Sequence, residues 1–508
     1  KWRVDFSSYK KALITNTKGE VVGEVKYPKN TFNIKHLSKR YDVLFVTAID
    51  LRNEKSDPVK IDLTKDYSSL YTAKPMDRII VKKQIGENAR FVNAQSDKEF
   101  VAKGVNYCRI RTGDHDSFEP VLVADKALID IADKSPFTLQ RINLNDTLIC
   151  YDPYHIETMM RALNENGYNL VRVFVKTGER DSEETKVYGL SGWPETKGIS
   201  KAYMDNFVDF LTRANKYSIY VIPCFTENEM LDNDYFNELS KGASGQDILF
   251  SEAGIKAKQH YIELFLKYIK ANNPELINTL FALTMQNEFA FHSYEAPFDQ
   301  TSGTYTFLDG SKYDMSNDDE RRTLANRAIR HYYKKMKEAV EENAPGLLVG
   351  EGTFSMGAVG KTYQNSKGFR PIDGVEDLRF PMTAVELLST DIDFLDFHVY
   401  RWGKEGLGKD VFDYFVKNMH LDSKEGKKLM QSKPVIMGEF GSFKENETQL
   451  DDAIDFVKEL KQAALDFGFK GTCYWTIDTF EQKRLWNLMW DNGKMLKAFY
   501  EQKKNNGR

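Results

Sequence analysis

The chain has 508 residues, 41% hydrophobic and 29% charged, with 71 basic against 75 acidic residues and a net charge of −4. That balance is ordinary for a soluble globular protein and leaves no basic field for nucleic acid. No run of about 18 apolar residues is present, so no membrane span is expected.

The chain starts at Lys1 without a Met or a leader pattern. It reads as a mature form, secreted, periplasmic or at the cell surface, with any export signal removed. Residues 1–95 then read as β. Short alternating runs (VVGEVKY, DVLFVTAI, VKIDL, RIIVKK) are separated by turn clusters such as NTKGE and RNEKSD, which predicts a small Ig-like β-sandwich as an accessory domain.

From residue 96 to 508 the pattern becomes strand, loop, helix. Eight strand-like runs follow one another: GVNYCRI (104–110), NLVRVFV (169–175), SIYVIPCF (218–225), FALTMQNE (281–288), GLLVGEGTF (346–354), DFLDFHVY (393–400), KPVIMGEF (433–440) and KGTCYWTI (470–477). Between them lie segments with apolar residues three and four apart, such as SKAYMDNFVDFLTRANK and DDERRTLANRAIRHYYKKMKEAVEEN. Eight strands alternating with helices predict an α/β chain folded as a (β/α)8 TIM barrel. An open doubly wound sheet would need a Gly-rich phosphate loop after its first strand, and CRIRTGDHD is not one.

Such barrels work at the carboxyl ends of their strands. There the fourth strand ends on Asn287-Glu288 and the seventh on Glu439, while the second carries Arg172 and the eighth Trp475. Asp396, His398 and Tyr400 share one face of the sixth strand at spacing two. Two glutamates facing each other across a barrel mouth suit retaining glycoside hydrolysis, with one attacking the anomeric carbon and the other protonating the leaving oxygen. Arg172 and Tyr400 are suitable partners to keep the attacking carboxylate ionised. Glu351 and Asp478 are rival carboxylates at the same face, read as sugar-binding or structural. The aromatic content of 13% suits stacking on sugar rings, with Trp193 and Trp402 as further subsite candidates and Trp486 and Trp490 as packing.

The ordered set GVNY, NLVRV, NE, H-x-Y, GEFG and Trp475 resembles clan A glycoside hydrolases, glycoside hydrolase family 5 (cellulases and β-mannanases) above all, over residues 100–508. The resemblance implies Glu288 as acid/base and Glu439 as nucleophile. It implies Asn287 on the sugar hydroxyl next to the anomeric carbon, Arg172 and Tyr400 on the nucleophile, and His398 lining the site. Trp475 would be the platform under the sugar at the cleavage point. The chain departs from the family at CFTENEM, where Glu227, Asn228 and Glu229 stand in place of a His pair. The expected activity is hydrolysis of β-linked mannan, glucan or a related glycan by a monomer whose partner is carbohydrate. An inactive sugar-binding barrel and a transglycosylase on the same glutamates are the alternatives.

No cofactor is expected, since side chains supply both halves of the chemistry. Scattered His residues predict no metal site. Cys108, Cys150, Cys224 and Cys473 form no C-x-x-C pair, and buried free thiols are expected. Two connections are long, 111–152 and 289–317. The second, rich in Tyr and Phe directly beyond Glu288, is read as a wall of the substrate cleft.

Overall fold

The computed structural model describes residues 9–26, 37, 40–50, 53–64, 73–83, 86–107, 110, 122–123, 147–148, 151, 153–175, 189–192, 195–225, 233–401, 406–477 and 484–500. Cys108, Cys150, Trp193, Glu227, Asn228, Glu229, Trp402 and Asp478 lie outside the described residues, as does most of the 111–152 connection.

Strands β1 (Tyr9–Thr15), β2 (Val21–Lys26), β3 (Val43–Asp50) and β4 (Val59–Asp62) form one antiparallel sheet in the order β2-β1-β3-β4. Ile14, Val25, Leu37 and Leu44 make its small core. Strands β5 (Ile79–Lys82), β6 (Arg90–Asn93) and β7 (Glu99–Phe100) form a second antiparallel sheet. The apolar residues of this second sheet go to the barrel: Ile79, Phe91 and Phe100 share one buried cluster with Leu170, Tyr220, Phe281, Phe394 and Ile436. The Phe91 ring stands 4.9 Å from Phe281 and 5.7 Å from Phe394, and Phe100 stands 5.1 Å from Tyr220, all edge to face. The boundary read at residue 95 therefore falls inside a cap that plugs the barrel floor. Alternation shows that a strand has an apolar face but not what covers it.

The chain then runs through β8 (Ala102–Tyr107), β9 (Leu122–Val123), β10 (Thr147–Leu148), β11 (Leu170–Val175), β12 (Tyr220–Phe225) and β13 (Ala282–Thr284). It continues through β14 (Ala290–His292), β15 (Thr304–Thr306), β16 (Lys312–Asp314), β17 (Leu348–Thr353), β18 (Arg379–Pro381), β19 (Phe394–Val399), β20 (Val435–Phe440) and β21 (Gly471–Tyr474). Eight of these close a parallel barrel in the order β8-β11-β12-β13-β17-β19-β20-β21, with β21 pairing back onto β8 through Gly471–Ala102 and Tyr474–Val105. They are the eight runs read from the sequence. Every residue of β11, β12, β17, β19 and β20 is buried, as expected of strands covered by packed side chains inside and helices outside.

The helical layer follows the periodicity where that was strong. Helices span Pro153–Glu165, Lys201–Lys216, Glu252–Asn272, Asp318–Asn343 and Leu450–Phe467. Ser200, Ser251 and Asn317 cap three of them by accepting hydrogen bonds from first-turn amides. Between β17 and β19 the helices shrink to Tyr363–Ser366 and Ala384–Leu388, because Gly357, Gly360, Gly368, Pro371 and Gly374 interrupt any longer run.

Two glycines set the upper part of the barrel. A Cβ on Gly438 would lie 1.3 Å from Asp396 Oδ1, and one on Gly352 would lie 1.7 Å from the Asn287 carbonyl oxygen. Only a hydrogen side chain lets the sixth and seventh strands, and the fourth and fifth, approach as they do.

Candidate active site

Arg172, on β11, is wholly buried and organises the barrel mouth. Its Nε donates to Asp396 Oδ2 (2.7 Å), its Nη1 to Glu439 Oε1 (2.8 Å) and Asn106 Oδ1 (3.0 Å), and its Nη2 to Asn287 Oδ1 (2.8 Å) and Cys224 Sγ (3.1 Å). One guanidinium thus reads strands one, three, four, six and seven at once. A planar fork of five N–H groups is what makes such a hub possible. Burial opposes its charge, but Asp396, Cys224 and Glu439 overcome this and hold its pKa well above the ordinary value.

Asn106 is fixed in turn. Its Nδ2 donates to the carbonyls of Gly438 (2.9 Å), Cys473 (3.2 Å) and Tyr474 (3.3 Å), across the seam where the barrel closes. Asn287 spends its Oδ1 on Arg172, which leaves the amide nitrogen as the group able to donate to a ligand.

Glu439 has both oxygens engaged: Oε1 accepts from Arg172, and Oε2 accepts from the Tyr400 hydroxyl at 2.8 Å. Burial pushes its carboxyl above the usual range and the charge of Glu288 adds to this, while His398, Arg172 and the Tyr400 hydroxyl oppose it. A proton on either oxygen would compete with a donor already in place, so the carboxylate is the form that fits the hydrogen bonds. Tyr400 keeps its own proton, because burial and then the charge of Glu439 hold the phenol well above its ordinary value.

His398 lies between the carboxylates. Its Nδ1 is 3.0 Å from Glu288 Oε1 and 3.6 Å from Glu439 Oε2, and its Nε2 is 3.4 Å from Asp396 Oδ1. Burial alone would lower its pKa, but Glu439 and Asp396 push it up to about 10. Asp396 goes the other way: burial raises it, and Arg172 and His398 more than offset that, holding it below its ordinary value.

Glu288 closes the arrangement. One oxygen of Glu288, one of Glu439 and a ring nitrogen of His398 all lie within 4.8 Å of one another. Two carboxylates and an imidazole are a possible metal set, the one such group among the described residues. Here Arg172 donates to Glu439 at 2.8 Å and the imidazole, pushed up to about 10, faces both glutamates, so the carboxylates already have cationic partners among the protein's own side chains.

The sequence candidates Arg172, Asn287, Glu288, His398, Tyr400 and Glu439 thus meet at one point. Trp475 stands beside them: it is buried, packs edge-on to Phe174 at 5.0 Å, and joins Tyr400, Phe443 and Leu485 in a small apolar cluster. Its Nε1 is buried without a hydrogen-bond partner among the described residues. Asn106 and Cys224 belong to the same network and were not singled out. Asp396 was read only as a face-mate of His398 and Tyr400, and period-two spacing is the signal that pointed to it.

Glu351 does not join the mouth. With Gly350 and Gly352 facing inward, its side chain enters the helix layer, fully buried near Tyr333 and Lys258. Burial pushes its carboxyl well above the ordinary value. The segment 289–317 also divides. Residues 289–295 stand beside Glu288, whereas the β15–β16 hairpin packs Tyr305 and Phe307 on Phe250 and borders a separate cavity with Tyr363 and Glu386. Of this segment, the first part is what borders the cavity beside Glu288.

No protein-family model and no curated protein sequence matches the chain. Among solved structures, an endo-β-1,4-mannanase from Thermotoga petrophila is similar at 13% identity and TM-score 0.46, covering 79% of this chain and 76% of that one. The exo-β-1,4-mannosidase Op5Man5 from Opitutaceae bacterium strain TAV5 is similar at 14% identity and TM-score 0.47, covering 82% and 61%. An endocellulase from Pyrococcus horikoshii is similar at 14% identity and TM-score 0.43, covering 84% and 100%. Among the described residues, no helix is long and apolar enough to cross a membrane.

Proposed function

We propose that the protein is a retaining glycoside hydrolase acting on β-linked glycans such as mannan or glucan, with Glu439 as nucleophile and Glu288 as acid/base. The observation that carries this reading is the approach of the two carboxylates to within 4.8 Å. Retaining enzymes hold the pair about 5–5.5 Å apart, and inverting ones leave about 6.5–9.5 Å for a water.

In the first step a Glu439 oxygen attacks the anomeric carbon, the glycosidic bond breaks, and Glu288 gives its proton to the departing oxygen. In the second, Glu288 takes a proton from water, whose oxygen displaces Glu439 from the sugar. Arg172 and Tyr400 hold the nucleophile in one orientation throughout. His398, charged and in contact with both glutamates, neutralises whichever carries the negative charge, which alternates between them as the reaction proceeds. The Asn287 amide is in place to bind the neighbouring sugar hydroxyl, and the Trp475 indole to bear on the sugar face. The motif resemblance, in the same strand order, supports these roles.

The test is a panel of β-mannan, β-glucan and xylan, with product sizing and the anomer of the first-formed product followed by NMR. Retention on at least one glycan, abolished in Glu439→Ala with sugar binding kept, is the expected result. Binding without turnover by the unaltered protein would establish an inactive sugar-binding barrel instead, and products longer than the substrate a transglycosylase.

A further inference from the structure

A cavity of about 630 Å³ lies outside the barrel strands and shares no lining residue with the cavity beside Glu288. Ser311 and Tyr313 line it from the β15–β16 hairpin, Asn326 and Arg330 from the helix Asp318–Asn343, and Tyr363 and Ser389 from the connection between β17 and β19. The hairpin is the part of the 289–317 connection that the barrel mouth leaves unused.

The protein builds this cavity from its own bonds. The Glu386 carboxylate accepts from Arg322 Nε (2.7 Å), Asn326 Nδ2 (3.1 Å) and both the amide and the hydroxyl of Thr383 (2.8 Å each). Asp309 ties the hairpin to the same helix by accepting from Arg327 Nε at 2.8 Å. Tyr305 and Tyr313 are cross-strand partners, so their side chains share one face of the hairpin. The first packs on Phe250 and the second reaches the cavity. The Tyr363 ring stands 5.0 Å from that of His420 and 5.1 Å from the Arg322 guanidinium.

The lining narrows the class of ligand. Val385 is its one aliphatic side chain, which does not suit a greasy molecule. Arg327 and Arg330 stand against Glu386 and Glu425, so a strongly charged ligand gains little. The remainder is neutral and polar: six hydroxyls and the Asn326 amide. Asn326 Oδ1 is buried without a hydrogen-bond partner among the described residues, while its nitrogen is held by Glu386. Buried polar atoms are rarely left so unless something else satisfies them. Tyr313, Tyr363 and His420 are half-buried, so each shows part of a ring. Ring faces among neutral hydroxyls, with no net charge, suit a ligand that is itself flat-faced and rich in hydroxyls, which is a sugar chain. The volume falls within the roughly 300–1,000 Å³ of small-molecule pockets and gives room for a short oligosaccharide.

We propose that this cavity is a second carbohydrate-binding site, which holds a short segment of neutral glycan away from Glu288 and Glu439. Tyr313 and Tyr363 bear on sugar faces, and Asn326 Oδ1 accepts from a sugar hydroxyl. The choice of β-linked sugars to try rests on the glycosidase reading above, whereas the binding chemistry of the cavity stands without it. A polymer held here keeps its own neighbouring segments at high effective concentration near the barrel mouth.

The experiment titrates Glu439→Ala, which stops turnover, with mannotetraose, cellotetraose and xylotetraose by calorimetry up to millimolar sugar. At least one sugar is expected to bind at two sites per chain. Adding Thr323→Trp, a bulky ring at an exposed helical position lining the cavity, reduces the two sites to one. Adding Tyr313→Ala instead weakens one of the two about tenfold, the effect of losing one stacking contact. A second site lost or weakened in either variant supports the proposal, and Thr323→Trp keeps the test decisive if Tyr313→Ala loosens the hairpin. One site or none for every sugar, or two sites unchanged in both variants, overturns it. Turnover by the unaltered protein with a single site removes this inference and leaves the glycosidase reading, and two sites without turnover do the reverse.

Discussion

Replacing Tyr400 by Phe removes one oxygen and leaves the ring in its apolar cluster with Phe174, Phe443, Trp475 and Leu485. The lost hydroxyl donates to Glu439 Oε2 at 2.8 Å. Hydrogen bonds to charged groups contribute about 1.5–3 kcal/mol. At about 1.4 kcal/mol per pH unit, its loss raises the Glu439 pKa by roughly 1 to 2 pH units. Arg172 still holds the other oxygen, which places the change at the lower end. Because Glu439 must be ionised to attack, the acid limb of the kcat/KM profile moves upward by that amount. At a pH on the original limb the rate falls about tenfold, and it falls less on the plateau. The assay is a pH–rate profile on whichever β-glycan the panel identifies, with thermal unfolding as a check on folding. A variant that loses rate evenly at every pH, with its acid limb in place, would refute the argument: the hydroxyl would then act on the sugar and not on the carboxylate.

Two buried cations should bend stability in opposite directions over the same pH range. His398, facing Glu288, Asp396 and Glu439, keeps its proton in the folded state up to about 10 against 6.5 ordinarily, so its contribution is complete below 6.5 and is lost as pH rises through about 10. Lys258, over the Phe225 and Tyr261 rings with no hydrogen-bond partner among the described residues, is lowered by burial from 10.5 to about 7, so its penalty shrinks as pH rises across that interval. Urea unfolding at pH 7 and pH 9.5 should show stability falling with pH in Lys258→Met and rising in His398→Gln. Lys258→Met should also be more stable at pH 7 by about 1–3 kcal/mol, and two variants that simply track the parent would contradict both assignments. Gly352→Ala places a carbon 1.7 Å from the Asn287 carbonyl oxygen, so Asn287 and Glu288 must shift together. A loss of about 100-fold in kcat/KM is expected, since displacements near 1 Å at a site cost that much, and an active, stable variant would show the strand spacing to be slack.

The barrel was legible because its signals are local. A strand buried on both faces must be a continuous apolar run, and a polar residue ending it at the carboxyl face stands out, as Glu288 and Glu439 do. Phase along a strand is harder to read: Glu351 and Asp396 both lie in glycine-flanked or polar-ended runs, yet one faces the helices and the other the mouth. A shift of one residue reverses the face. Arg172 was visible as a strand residue, but its role as hub depends on partners between 52 and 267 positions away. The cap over the barrel floor escaped for the same reason, since β5 and β6 look like any exposed hairpin until Phe281 and Phe394 are seen beneath them. Beyond Glu288, FHSYEAPF and TSGTYTFLDGSKY have similar composition and different destinations, set by pairing with β18 in one case and by packing on Phe250 in the other.

Asn106 ties the site to the order in which the chain can be completed. It sits on the first barrel strand, yet its amide is held by carbonyls of residues 438, 473 and 474, and its oxygen orients Arg172. A growing chain therefore carries Arg172 and Asp396 long before the last two strands exist to aim them. Until residue 474 has joined, the guanidinium lacks one of its fixed points and the seam beside it stays open to water. The site is therefore complete only when the last two barrel strands are in place, although most of its charged groups come before them in the chain.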